Sequence, residues 1–169
     1  MRDALPDTRR RPLVIGVGNH LRGDDAAGLL AARRLGGIEL EGDTSALVDL
    51  LAGASSAIVI DAVRSGASPG TVHRYDVGRT PLPAALSSSS SSHLVSVVEA
   101  IELARVLGRL PEMTTVLGIE GERFELGAVI SSRVAATIEE VVALAGQLSA
   151  SATRSILSSA PVDPGAATT

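Results

Sequence analysis

Apolar positions follow two periods along the chain. Leu13-Val14-Ile15-Gly16-Val17 is an unbroken, β-branched run, the pattern of a strand buried on both faces. Ala57-Ile58-Val59-Ile60-Asp61-Ala62-Val63 is apolar apart from Asp61 and is the clearest strand in the sequence. Ile38 to Leu40 predicts a short strand, and Thr114 to Ile119 a last core strand. Thr71 to Val77 alternates, which predicts a further strand reached through a hairpin turn at Ser65 to Gly70. Between these runs the spacing becomes helical. Asp24 to Leu35 has acids at its start, Arg33 and Arg34 at its end and Gly36-Gly37 beyond, each suited to the helix dipole and its caps. Asp43 or Thr44 can cap a helix through Leu47, Leu50 and Leu51 that ends at Gly53. From His93 to Gly108, Leu94, Val97, Val98, Ile101 and Ala104 share one face, while Glu99, Glu102 and Arg105 share the other. Ser132 to Leu148 carries Val134, Ile138, Val141, Val142 and Ala145 on a buried stripe. Strands separated by helices predict an α/β fold, a three-layer α/β/α sandwich on a mostly parallel twisted sheet of about five strands.

The pattern stops at both ends. Residues 1–11 form a loose N-terminal arm, residues 12–149 a single α/β domain, and residues 150–169 a Ser/Ala/Thr/Pro tail of disordered composition. Ser87 to Ser92 is a run of six serines, whose hydroxyls compete with regular backbone bonding and predict a mobile loop. A length of 169 residues suits one sizeable core. Tyr75 and Phe124 are the sole aromatics, so aliphatic side chains must build that core. So few stacking surfaces, with a net charge of -4, argue against a nucleic-acid partner. The absence of cysteine excludes a disulfide framework, a thiolate metal site and a cysteine nucleophile. The N-terminal residues do not read as a signal peptide, and no stretch approaches the ~18 apolar residues of a membrane span. The expectation is a soluble cytoplasmic protein with no membrane insertion.

Candidate chemistry concentrates after the first strand, in GVGNHLRGDDAAG. Gly16 and Gly18 fit the start of a dinucleotide-binding G-x-G-x-x-G, but Leu21 stands at the third position, where a side chain obstructs close helix–strand packing. No Gly-Lys-Ser/Thr follows, and Asp24 and Asp25 would repel phosphate. One of these acids serves as an N-cap, which leaves the other to spare. Asp61 ends its strand as Asn19 follows the first, and ligands of open α/β sheets bind just beyond such ends. His93 opens a helix, where the dipole favours the neutral imidazole that ligates metals. Asp25, Asp61 and His93 together would make a site suited to Zn, Ni, Mn or Cd. His20 is a weaker spare ligand, and His73 reads as packing or surface. Gly66-Ala67-Ser68-Pro69-Gly70 matches G-x-S-x-G, yet Pro69 has no N–H for an oxyanion hole and a strand follows, so it reads as a turn.

The same stretch resembles the N-terminal signature of hydrogenase maturation proteases, with Asn19, Leu21, Asp24, Asp25 and Gly28 in register. Similarity continues at IVIDAVRSGASPGTV, SSHLVSVVEAIELARVLGRLP and VLGIEGERFELGAVISSRV. It spans about residues 12–149. The resemblance implies an endopeptidase that removes a C-terminal extension from the large-subunit precursor of a nickel–iron hydrogenase once nickel is inserted. It maps metal contact and catalysis onto Asp25, Asp61 and His93, with Gly18, Asn19 and Asp24 as the supporting turn. The implied nickel belongs to the substrate, with cadmium or zinc able to substitute. The competing expectations are another metal-dependent hydrolase on the same fold and a non-catalytic metal-sensing chaperone. The N-terminal arm, the serine run and Ala26-Ala27 depart from the family pattern without touching the implied ligands.

Overall fold

The computed structural model describes residues 11–41, 44–82 and 92–159. Residues 1–10 of the N-terminal arm, most of the serine run and residues 160–169 therefore lie outside the described residues. Strand β1 (Leu13–Gly18) leads through a 3-10 turn (Gly23–Ala26) into helix α1 (Ala27–Arg34), then β2 (Ile38–Glu41). Helix α2 (Thr44–Ala52), β3 (Ser56–Val63) and β4 (Val72–Asp76) follow. Then come α3 (Ser92–Val106), β5 (Met113–Glu120) and α4 (Ser132–Ser159). The strands form one sheet in the order β2-β1-β3-β5-β4. All neighbours are parallel except β4, which pairs antiparallel with β5 at the edge.

The uninterrupted apolar runs hide a period of two. Leu13, Ile15, Val17, Ala57 and Val59 pack with residues of α2 and α3, whereas Val14, Ile58 and Ile60 pack with α1 and α4. Both faces of the central strands are thus covered, which is why their sequences carry no polar alternation. The result is the three-layer sandwich. Helix α1 ends as its glycines require. Gly36 takes φ +65°, Gly37 N–H donates to Ala32 O at 2.8 Å and Gly36 N–H to Arg33 O at 3.2 Å.

Three expectations change. The strands β3 and β4 do not form a hairpin, because β5 lies between them. Local alternation marks a strand but says nothing about its partner. The residues from 150 onward do not begin a disordered tail, since α4 continues to Ser159. Its Ser/Ala/Thr composition is compatible with helix because a hydroxyl can bond back along the helix, as Thr153 Oγ1 donates to Ser149 O at 2.9 Å. The first helix does not begin at Asp24 with an acidic cap. A tight 3-10 turn precedes it, and neither that turn nor α1 receives a side-chain cap.

Close approach of α1 to the sheet rests on glycine. A Cβ on Gly28 would lie 2.6 Å from Val17 O and closer still to Ile60 O, while one on Gly16 would strike Gly28 O. The glycine that lets helix and strand touch is thus Gly28. Leu21, where the dinucleotide pattern needs that glycine, is exposed on the turn. Among the described residues no helix is long and apolar enough to cross a membrane.

Candidate active site

The strand order reverses at β1 and β3, so the crevice beyond their carboxyl ends is where this topology places a ligand. Asp61 lies at that end of β3, in register with Gly118 of β5. It is fully buried and shares the parity of Ala57 and Val59, hence the sheet face covered by α2 and α3. Its Oδ1 accepts the N–H of Ala62 at 2.9 Å, and its Oδ2 is buried with no hydrogen-bond partner among the described residues. Burial holds the Asp61 carboxyl well above the ordinary carboxylate range. The negative charge of Asp25 pushes the same way, and the Ala62 N–H pulls down against both. Asp25 is therefore its electrostatic neighbour, although the two are far apart in sequence.

Asp25 comes from the 3-10 turn and is also buried. The turn is shaped by Gly18 and Asn19. Gly18 has φ +151°, and a Cβ there would collide with Asp25 O. Asn19 N–H donates to Asp25 O at 3.3 Å, and Asn19 Oδ1 accepts from Leu21 N–H at 2.8 Å, an Asx turn. Asp24 points the other way. Its carboxylate accepts from the N–H groups of Glu122 (2.8 Å), Arg123 (3.0 Å) and Ser131 (2.6 Å). It clamps the loop between β5 and α4 rather than capping its own helix, so the two adjacent acids divide into a structural one and one at the crevice.

His93 is the second residue of α3. Val98, further along α3, packs with Val63 of β3, two positions beyond Asp61. Helix α3 therefore packs at Val98 against the carboxyl end of β3, on the face that Asp61 shares. The His93 side chain lies outside the described ones. Among the described residues no group of three His, Asp or Glu side chains is gathered to hold a metal. His20 is turned away from the crevice: its Nε2 meets Glu39 Oε2 at 3.0 Å, beside the Arg33–Glu39 ion pair on β2. That pair holds the Glu39 carboxyl below its ordinary range, chiefly through the Arg33 hydrogen bond.

Glu120 is a functional-site neighbour that sequence reasoning passes over. It is buried at the end of β5, opposite Val63. Its Oε1 accepts from Ser65 N–H (2.8 Å) and Gly66 N–H (2.9 Å). Its Oε2 accepts from Ser65 Oγ (2.8 Å) and meets His73 Nε2 (3.2 Å). The turn that leaves β3 just after Asp61 is thereby pinned to β5. An acid ending an apolar run is the signal that marks Asp61, and it is present at Glu120 too. Ser68 holds a turn through its carbonyl, which accepts Thr71 N–H at 3.0 Å, and nothing there resembles a nucleophile elbow.

The HycI family model, described as Hydrogenase maturation protease, matches residues 41–147, a stretch that holds Asp61 and His93 and starts after Asp25. Two solved structures are similar over most of the chain. The hydrogenase maturating endopeptidase HybD from E. coli is 27% identical, with a TM-score of 0.70 over 86% of this chain and 93% of that one. The [NiFe] hydrogenase maturation protease HybD from Thermococcus kodakarensis is 29% identical, with a TM-score of 0.67 over 82% of this chain and 99% of that one. None of the curated proteins matches. The chain belongs to the hydrogenase maturation protease family and is a peptidase.

Proposed function

We propose that this protein removes the C-terminal extension of a nickel–iron hydrogenase large-subunit precursor after nickel insertion, and that Asp25, Asp61 and His93 read the substrate's nickel. The observation that carries this reading is Asp61 Oδ2, a buried carboxylate oxygen with no hydrogen-bond partner among the described residues, set beside the charge of Asp25. Two acids in one dry crevice repel each other and lose hydration. A divalent cation brought into that crevice would offset both costs, and carboxylate oxygens with an imidazole suit nickel.

Three protein donors leave positions for the ligands that a metal keeps from its own polypeptide. That fits a metal delivered with the substrate. When bound, it would polarise the scissile carbonyl. The chain's own part is positional. Gly18 and Asn19 fix the backbone of Asp25, the β3–β5 pairing fixes Asp61, and the helix start carries His93. Hydrolysis places a water hydroxyl on the acyl carbon, breaks the C–N bond and returns a proton to the leaving amine. Work on an assembling hydrogenase subunit suits a cytoplasmic protein, and the lack of cysteine suits a reducing compartment. The test is incubation with nickel-loaded and metal-free precursor, read by mass spectrometry of the new C-terminus. Cleavage of the loaded form alone is expected. Equal processing of both would remove the nickel reading, and metal-dependent binding without cleavage would favour a chaperone.

A further inference from the structure

Residues 121–131 join β5 to α4 and are laced to the β1–α1 turn. Asp24 N–H donates to Arg123 O at 2.8 Å, Gly23 N–H to Ala128 O at 3.1 Å and Gly127 N–H to Leu21 O at 2.7 Å. Arg22 Nε donates to Phe124 O at 3.0 Å, and the buried Phe124 ring carries the Arg64 guanidinium 4.7 Å from its centroid. With the Asp24 carboxylate, these bonds turn two loops into one fixed ledge. Its outward side chains are nonetheless apolar: Leu21 is 65% exposed, Leu126 77% and Val129 72%. Charged neighbours at Arg22, Glu122, Arg123 and Glu125 surround them in sequence.

Exposed apolar side chains on a mobile loop have little meaning. On a ledge held by a buried carboxylate they form a preorganised interface, with little ordering to be lost on contact. The ledge also begins at the turn that supplies Asp25 to the crevice. Leu21 belongs to the turn that carries Asp25, and the ledge's anchor, Asp24, precedes Asp25 in the chain. A peptidase's macromolecular partner at this place is the polypeptide it cuts. We propose that Leu21, Leu126 and Val129 form a docking ledge for an apolar segment of the substrate protein, flanking the peptide bond that is cut. This assignment rests on the proposed precursor-processing reading.

The test is the Leu126→Asp/Val129→Asp double variant in the full chain, with Val106→Asp on α3 as an exposed apolar control elsewhere. Cleavage is followed against concentration of nickel-loaded large-subunit precursor. The double variant is expected to raise KM about tenfold or more with kcat little changed, a tenfold loss being about 1.4 kcal/mol for two apolar anchors removed from an interface. The control is expected to match the parent protein. Leu21→Ser repeats the measurement should the double variant lose its circular dichroism spectrum. An unchanged KM in a folded ledge variant overturns the ledge while leaving the precursor reading intact. So does an equal rise in the control. Concentration-dependent self-association of the parent, abolished by the ledge variants, also overturns it, because the occupant is then a second copy. If the parent cleaves no precursor, the processing reading fails. Calorimetric titration with the same precursor then decides the ledge by whether the variants weaken binding.

Discussion

Replacing Asp24 by Ala removes the acceptor for three backbone donors, the N–H groups of Glu122, Arg123 and Ser131. All three belong to the β5–α4 connection, 98 to 107 residues away in sequence, and the carboxylate that holds them is fully buried. A hydrogen bond to a charged group contributes ~1.5–3 kcal/mol net, and each stranded buried donor costs ~1–3 kcal/mol. Bonds to one carboxylate are not independent, and the loop can open to let water in. The expected loss is therefore roughly 3–5 kcal/mol rather than the full sum. Asn should be milder. Its amide oxygen in place of Oδ2 keeps the bonds from Glu122 and Arg123, while its NH2 faces Ser131 N–H donor to donor, a loss of roughly 2–3 kcal/mol. For a domain of this size each kcal/mol lowers the melting point by ~2–4 °C. Thermal unfolding followed by far-UV circular dichroism should thus place Asp24→Ala on the order of 10 °C below the parent, with Asp24→Asn between them. If Asp24→Ala melts within about 2 °C of the parent, the carboxylate does not hold the loop. If Asn is the worse of the two, the division of labour between the oxygens is wrong.

Gly28→Ala pushes a methyl group against two carbonyl oxygens, so α1 must lift from the sheet at a cost of about 1–3 kcal/mol, read from the urea midpoint; an unchanged midpoint refutes the close approach. Asp61→Asn should abolish cleavage of the nickel-loaded precursor yet, in metal-free buffer, raise stability at neutral pH. The folded chain binds the Asp61 proton more tightly than the unfolded chain does, so this group's destabilisation is absent in acid and grows as pH rises through the raised folded value. The stability gap between variant and parent should close as pH falls toward the ordinary carboxylate range, and a pH-independent gap would sink the assignment. Glu120→Gln should cost little, because one amide can accept from Ser65 and Gly66 and donate to Ser65 Oγ and His73, whereas Glu120→Ala strands buried donors and costs roughly 2–4 kcal/mol. Equal denaturation midpoints for Gln and Ala would show that the acid holds nothing.

The central strands and the buried stripes of the helices are legible because burial on two faces or one stripe leaves a one-dimensional trace. The run Ala57 to Val63 fixes both a strand and, through its single acid, a place in the crevice. What stays hidden is set by distance in sequence. Nothing near Thr71 to Val77 says that β5 will insert between β3 and β4. Nothing near Asp24 says that its partners are Glu122, Arg123 and Ser131, so an acid at a helix start reads as a cap. The serines and alanines after Leu148 look like a tail because composition alone cannot weigh helix continuation.

The glycine contact between α1 and the sheet has a consequence for how this site tolerates change. Asp25 stands on the turn that feeds α1, and Asp61 follows Ile60, whose carbonyl touches Gly28. The spacing of the two acids is thus set by peptide groups meeting peptide groups. An exchange among Val, Leu, Ile and Ala elsewhere in the core, nearly without aromatics, does not touch these peptide contacts directly. Substitution at the two glycines, by contrast, would change the gap directly.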